Sequence, residues 1–118
     1  MEHARAELTG NTVEATRGRL RLAEEVLARS IRLRAANVVS QQQLNNDLFA
    51  VELLRAELTG NGTEVLRVRL RHAEEDFERA LELWKQKLIS ESEYNRSKSA
   101  LEFWREELAK ALQRKPTP

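Results

Sequence analysis

The chain has 118 residues, 20 basic against 19 acidic side chains for a net charge of +1, and no cysteine. The two signs are interspersed, which argues against the one-sided basic excess of a nucleic-acid binder, so no nucleic-acid partner is expected, and the missing thiols exclude disulfides and thiolate chemistry. Only four glycines and two prolines are present, too few for a turn-rich β fold, so an all-α chain of one domain is expected over 1–118.

The first eight residues are charged and carry no apolar h-region, so no leader is expected there. No apolar run approaches the roughly 20 residues of a membrane span, so this segment is not expected to insert into a bilayer. The strongest signal is self-similarity at an offset of 50. Arg5-Ala6-Glu7-Leu8-Thr9-Gly10-Asn11 recurs as Arg55-Ala56-Glu57-Leu58-Thr59-Gly60-Asn61, and 18 of the 36 positions in 5–40 match 55–90. Such matching requires the same local structure in two repeats, about 5–58 and 55–114. By the same phase, residues 3–8 read as the end of an earlier returning helix, as in a longer protein.

The first helix is expected over about 12–36, with Leu20, Ala23, Leu27 and Ile31 at the 3–4 spacing of one face. Leu22, Val26 and Leu33 form a second stripe off that seam, which calls for burial as well. The chain then turns. Ser40 precedes Gln43 by three residues, a capping box, and Val39 with Leu44 forms a hydrophobic staple. The second helix spans about 41–58, with Leu44, Leu48, Val51, Leu54 and Leu58. Gly60 suits a left-handed helix end and Asn61 a cap for the third helix, with Glu64 three residues on. The rival is one helix through 41–87, but Gly60 and Gly62 inside it cost about 1 kcal/mol each relative to Ala, which favours a turn.

The third helix is expected over about 63–87 through Leu70, Ala73, Phe77, Leu81 and Trp84. Ser90 with Glu93 and Ile89 with Tyr94 repeat the capping box and the staple. The fourth helix covers about 91–113 through Tyr94, Leu101, Trp104 and Leu108. Counting back from each turn pairs Trp84 with Tyr94, Phe77 with Leu101 and Leu27 with Val51. The result is two tandem antiparallel hairpins, expected as an up-down-up-down four-helix bundle or coiled-coil array.

No catalytic, cofactor-binding or metal-binding residues are expected. His3 and His72 are the only histidines and no metal-ligand spacing exists. Glu24-Glu25 and Glu74-Glu75 are adjacent on helices and do not face each other. Glu25 with Arg29 and Glu75 with Arg79 read instead as i,i+4 ion pairs, worth about 0.2–0.5 kcal/mol each. The aromatics Phe77, Trp84, Tyr94, Phe103 and Trp104 read as seam packing.

At the turns the sequence resembles a known family. Arg79, Leu83 and Ser90, with Ile89 and Tyr94 beside them, look like the hairpin tip of periplasmic adaptor (membrane fusion) proteins of tripartite efflux and type I secretion systems. Arg29, Leu33 and Ser40 meet the same pattern in the first copy. The resemblance implies a non-enzymatic hairpin whose tip contacts an outer-membrane channel, a periplasmic location, and hairpins that assemble into a tube. The departures are two tandem hairpins where an adaptor has one, and no lipoyl halves or β-barrel. The alternative is a structural repeat scaffold or self-associating oligomerisation module without a tip-dependent partner.

Overall fold

A computed structural model of the chain describes residues 2–114, with side chains at Gly10 and from Thr12 onward. The molecule is all-α: α1 is Glu2–Ala35, α2 Gln41–Leu58, α3 Gly62–Lys85 and α4 Glu91–Gln113. No strand occurs among the described residues. Helix α1 packs on α2 and α3 on α4, and the chain divides into two compact units, Met1–Asn61 and Gly62–Pro118. Each unit is one antiparallel hairpin.

One boundary differs from the sequence reading. Helix α1 begins at Glu2 and runs unbroken for 34 residues, so residues 3–8 are not a separate returning helix and Thr9-Gly10-Asn11 is not a turn. The same heptapeptide ends α2. There the Gly60 amide donates to the Glu57 carbonyl (3.1 Å), Gly60 takes φ 71°, and the Asn61 amide donates to Thr59 Oγ1 (3.1 Å). The residue that follows separates the copies. Thr12 continues the first, while Gly62 makes a second glycine in the other, doubling the propensity cost of a straight helix.

Both hairpin turns share one construction. Helix α1 ends with Asn37 at φ 60°, and α3 with Lys87 at φ 60°. The Val38 amide donates to the Leu33 carbonyl (2.8 Å) and the Asn37 amide to the Arg34 carbonyl (3.0 Å). Leu88 to Leu83 (2.8 Å) and Lys87 to Trp84 (2.9 Å) repeat this. These are Schellman motifs, which satisfy carbonyls that the helix end leaves open. Two residues later the next helix is capped: Ser40 Oγ accepts from the Gln43 amide (3.0 Å) and Ser90 Oγ from the Glu93 amide (3.1 Å).

The cores are thin. Val51 is wholly enclosed, and Ala56, Ala73, Ala80 and Leu101 are buried. Small alanines let paired helices approach closely, and the large side chains pack around them. Tyr94 stacks on Trp84 with ring centroids 4.4 Å apart, as expected, and also meets Phe77 at 5.7 Å. Hairpin one adds a polar tie: the buried Ser30 hydroxyl donates to Asp47 Oδ2 on α2, and Gln43 Nε2 donates to Asp47 Oδ1 (3.0 Å). Hairpin two has Ala80 and Ser97 at those positions.

Two expected features are replaced. The second stripe is buried only in part: Leu22 is 64% exposed and Val26 42%, while Leu33 is half-buried, because α2 lies over the seam of Leu20, Ala23 and Leu27; Ile31, expected in that seam, is 54% exposed. The ion pairs also differ. Arg79 binds Asp76 (3.0 Å, i,i+3) rather than Glu75, and the first hairpin pairs Glu24 with Arg55 across its helices (3.0 Å) instead of Glu25 with Arg29. A helical side chain leans over the turn before it, which brings Arg79 onto Asp76.

Candidate interaction site at the hairpin tips

Each tip follows from its helix ends. Leu33 is the last half-buried apolar residue of α1, and its carbonyl closes the turn onto Val38. Arg29 lies one helical turn earlier on the same side, exposed and with no carboxylate partner among the described residues. Ser40 caps α2. The structure therefore gathers Leu33 and Ser40 into one turn and sets Arg29 beside it. Leu83, Ser90 and Arg79 repeat the arrangement, with Arg79 engaged by Asp76, which also meets His72 Nε2 at 3.2 Å.

The seryl oxygens are already occupied by caps. Ser90 Oγ also lies 3.3 Å from Glu93 Oε1 as a donor. The groups left open are Val38 and Leu88, each 65% exposed on an identical backbone. Their neighbours Val39 and Ile89 tuck in as staples, half-buried. Each tip thus offers an apolar side chain at the apex of its turn, and the second adds Trp84, 39% exposed.

The tips differ in charge. Residues 29–46 hold Arg29, Arg32 and Arg34 and no carboxylate, whereas 79–96 hold four basic and three acidic residues. In the first tip Arg34 reaches Gln41 and Asn37 (3.4 Å each). Trp84 stands at the equivalent place in the second and stacks on Tyr94. Two features escaped the sequence reading. Asn37 was a legible left-handed signal, since Asn tolerates that conformation. Lys87 was legible only through its match to Asn37.

Elsewhere an open groove of about 290 Å³ lies over Phe77 and Leu101, edged by Glu74, Glu78 and Glu102 with Lys98 and Arg105. Among the described residues no set of three His, Cys, Asp or Glu side chains could hold a metal ion, and no helix is long and apolar enough to cross a membrane. His3 lies outside the described side chains. Every buried polar side-chain atom described has a partner. Comparison with protein-family models, curated proteins and solved structures gave no match.

Proposed function

We propose that this chain is a non-enzymatic helical-hairpin interaction module that docks a protein partner through its tips, residues 33–40 and 83–90. The observation that carries the proposal is the pair Val38 and Leu88. Both copies hold an apolar residue 65% in solvent at the apex of a turn that is hydrogen-bonded and capped on either side. At that exposure the side chain contributes little to its own hairpin, and a rigid apolar anchor costs little entropy to bind. The resemblance to periplasmic adaptors supplies the kind of partner: the tip of an outer-membrane channel. Tip one, with three arginines and no carboxylate, favours an acidic partner surface.

A photo-crosslinking residue placed at 38 or 88, in the cells that make the protein, tests this. The tips should yield a discrete product that the same probe at exposed positions 28 and 78 does not. Equal labelling from all four positions, or none from the tips, removes the docking reading. A repeat scaffold without a tip partner is the second reading. It is supported by the structural employment of the resemblance residues: Ser40 and Ser90 cap, and the Leu33 and Leu83 carbonyls close the turns.

A further inference from the structure

The covalent joint between the two compact units is the peptide bond from Asn61 to Gly62. Gly60, Asn61 and Gly62 are all exposed. The turn is closed ahead of that bond: the Gly60 amide donates to the Glu57 carbonyl and the Asn61 amide to Thr59 Oγ1, 3.1 Å each. Gly62 opens α3, and the first four amides of a helix have no acceptor within it. Its nitrogen is therefore not tied into a helical ladder. A methyl group built at Gly62 meets no atom within 4 Å, so the space beside that nitrogen is open. The first copy of the heptapeptide differs on both counts. Asn11 lies inside α1 and is followed by Thr12. The Thr12 amide belongs to the ladder of an unbroken helix, and a β-branched side chain stands beside it. The other asparagines, at 37, 45, 46 and 95, all precede residues that carry a side chain.

We infer that Asn61 is a site of spontaneous modification, at which the chain's own backbone converts the side-chain amide to a carboxylate with water as the only co-reactant. The Gly62 nitrogen gives up its proton to base and bonds to Cγ of Asn61. The Cγ–Nδ2 bond breaks, and the amide group takes up a proton and leaves as ammonia. Water then opens the resulting cyclic imide at one of its two carbonyls. Attack at Cγ releases the Gly62 nitrogen from the side chain and leaves aspartate on the original backbone. Attack at the backbone carbonyl leaves isoaspartate, whose main chain runs through the side-chain methylene and is one carbon longer. Either product removes the net charge of +1 and places an anion at the start of α3, where the helix dipole favours it. The isoaspartyl product also lengthens the link between the units. No tip residue takes part, so the inference stands apart from the docking reading.

Incubation of the full chain in mildly alkaline buffer, sampled over time and digested with trypsin, reads this directly. Cleavage after arginine releases Ala6–Arg17 and Ala56–Arg67, peptides of equal length that carry Asn11 and Asn61 at matching places. Mass spectrometry should show amide exchanged for carboxylate in Ala56–Arg67 at least about tenfold faster than in Ala6–Arg17. Protein isoaspartyl methyltransferase should label the converted chain. A synthetic Ala56–Arg67 peptide gives the rate without the fold, and Asn61 in the native chain should convert within about tenfold of it. Gly62→Ala sets a methyl group beside the attacking nitrogen and should slow conversion at least about tenfold, with circular dichroism checking that the helices persist. The peptide comparison needs no variant and stands if Gly62→Ala does not fold. An Asn61 amide that persists in the native chain while the peptide converts, equal rates at Asn11 and Asn61, or a folded Gly62→Ala chain that converts as fast as the wild type overturns the inference.

Discussion

Asn37 and Lys87 occupy the same left-handed position, each at φ 60°, at the end of the first helix of their hairpins. The two side chains do not fit it equally. Asn reaches this region with little penalty, whereas a residue with a long aliphatic stem pays about 1 kcal/mol. Lys87→Asn should therefore raise stability by about 0.5–1 kcal/mol, and Lys87→Gly by a similar amount after its own unfolded-state entropy is subtracted. For a unit of this size that is a few degrees of melting temperature. Thermal unfolding followed by circular dichroism checks it, and an unchanged midpoint removes the strain argument at Lys87.

The heptapeptide that appears twice permits a sharper comparison. Gly10 lies inside helix α1, and Gly60 takes φ 71° in the turn after α2. A methyl group added at either meets no atom within 4 Å, so packing does not decide the outcome and backbone conformation does. Gly10→Ala should stabilise by up to about 1 kcal/mol, while Gly60→Ala should destabilise by about 1–2 kcal/mol. The same substitution in the same seven residues takes opposite signs. Urea titration of the two variants measures both, and a shared sign means that one of the two backbone assignments is wrong.

This pair also marks how far the sequence could be read. Periodicity and the Ser40 and Ser90 caps were enough for four helices in two hairpins, because each hairpin end is specified by side chains close in sequence; the return half of each capping box is not made, since Gln43 turns to Asp47 and Glu93 accepts from Ser90 Oγ. The heptapeptide was not enough. Its seven residues are compatible with helix and with turn, and the choice rests on the next residue, Thr12 or Gly62. The exposure of Leu22 and Val26 was illegible for a related reason: a stripe predicts that something can cover it, not that the chain itself does. The turns near 37–40 and 87–90 were legible, and the helices break there. The Ser40 and Ser90 caps were legible too, but the extent to which Val38 and Leu88 stand open, 65% each, needed the three-dimensional turn.

The Ser30–Asp47 tie offers a cycle already built by the repeat. Ser30→Ala removes a buried donor and leaves Asp47 with Gln43 alone, a loss of about 1–3 kcal/mol for a half-buried carboxylate. Asp47→Ser leaves the buried hydroxyl to find a backbone acceptor within its own helix, at a smaller cost. The double variant Ser30→Ala with Asp47→Ser reproduces the Ala80 and Ser97 of hairpin two. It should be more stable than the sum of the single losses by about 1 kcal/mol, the coupling expected of side chains in direct contact. Additive losses in denaturant titrations would show that the bond contributes nothing beyond its separate parts.

The aromatic seam of hairpin two gives the last test. Tyr94 stacks on Trp84 at 4.4 Å with planes 14° apart and tilts against Phe77 at 5.7 Å, while the first hairpin has Leu44 at the same place. Aromatic pairs contribute about 0.5–1.5 kcal/mol beyond the area they bury. Tyr94→Leu keeps most of the apolar area and the staple to Ile89, so its cost isolates the ring contacts, at about 1–2 kcal/mol for the two together. The second tryptophan, Trp104, has its own partners in Phe103 (4.8 Å) and Arg69 (5.1 Å to the ring) and should be undisturbed. Near-ultraviolet circular dichroism should lose the part of its signal that comes from the Trp84 stack, and the Trp104 part should remain. A full near-ultraviolet spectrum in Tyr94→Leu would mean that the Trp84–Tyr94 stack does not order this end of the hairpin.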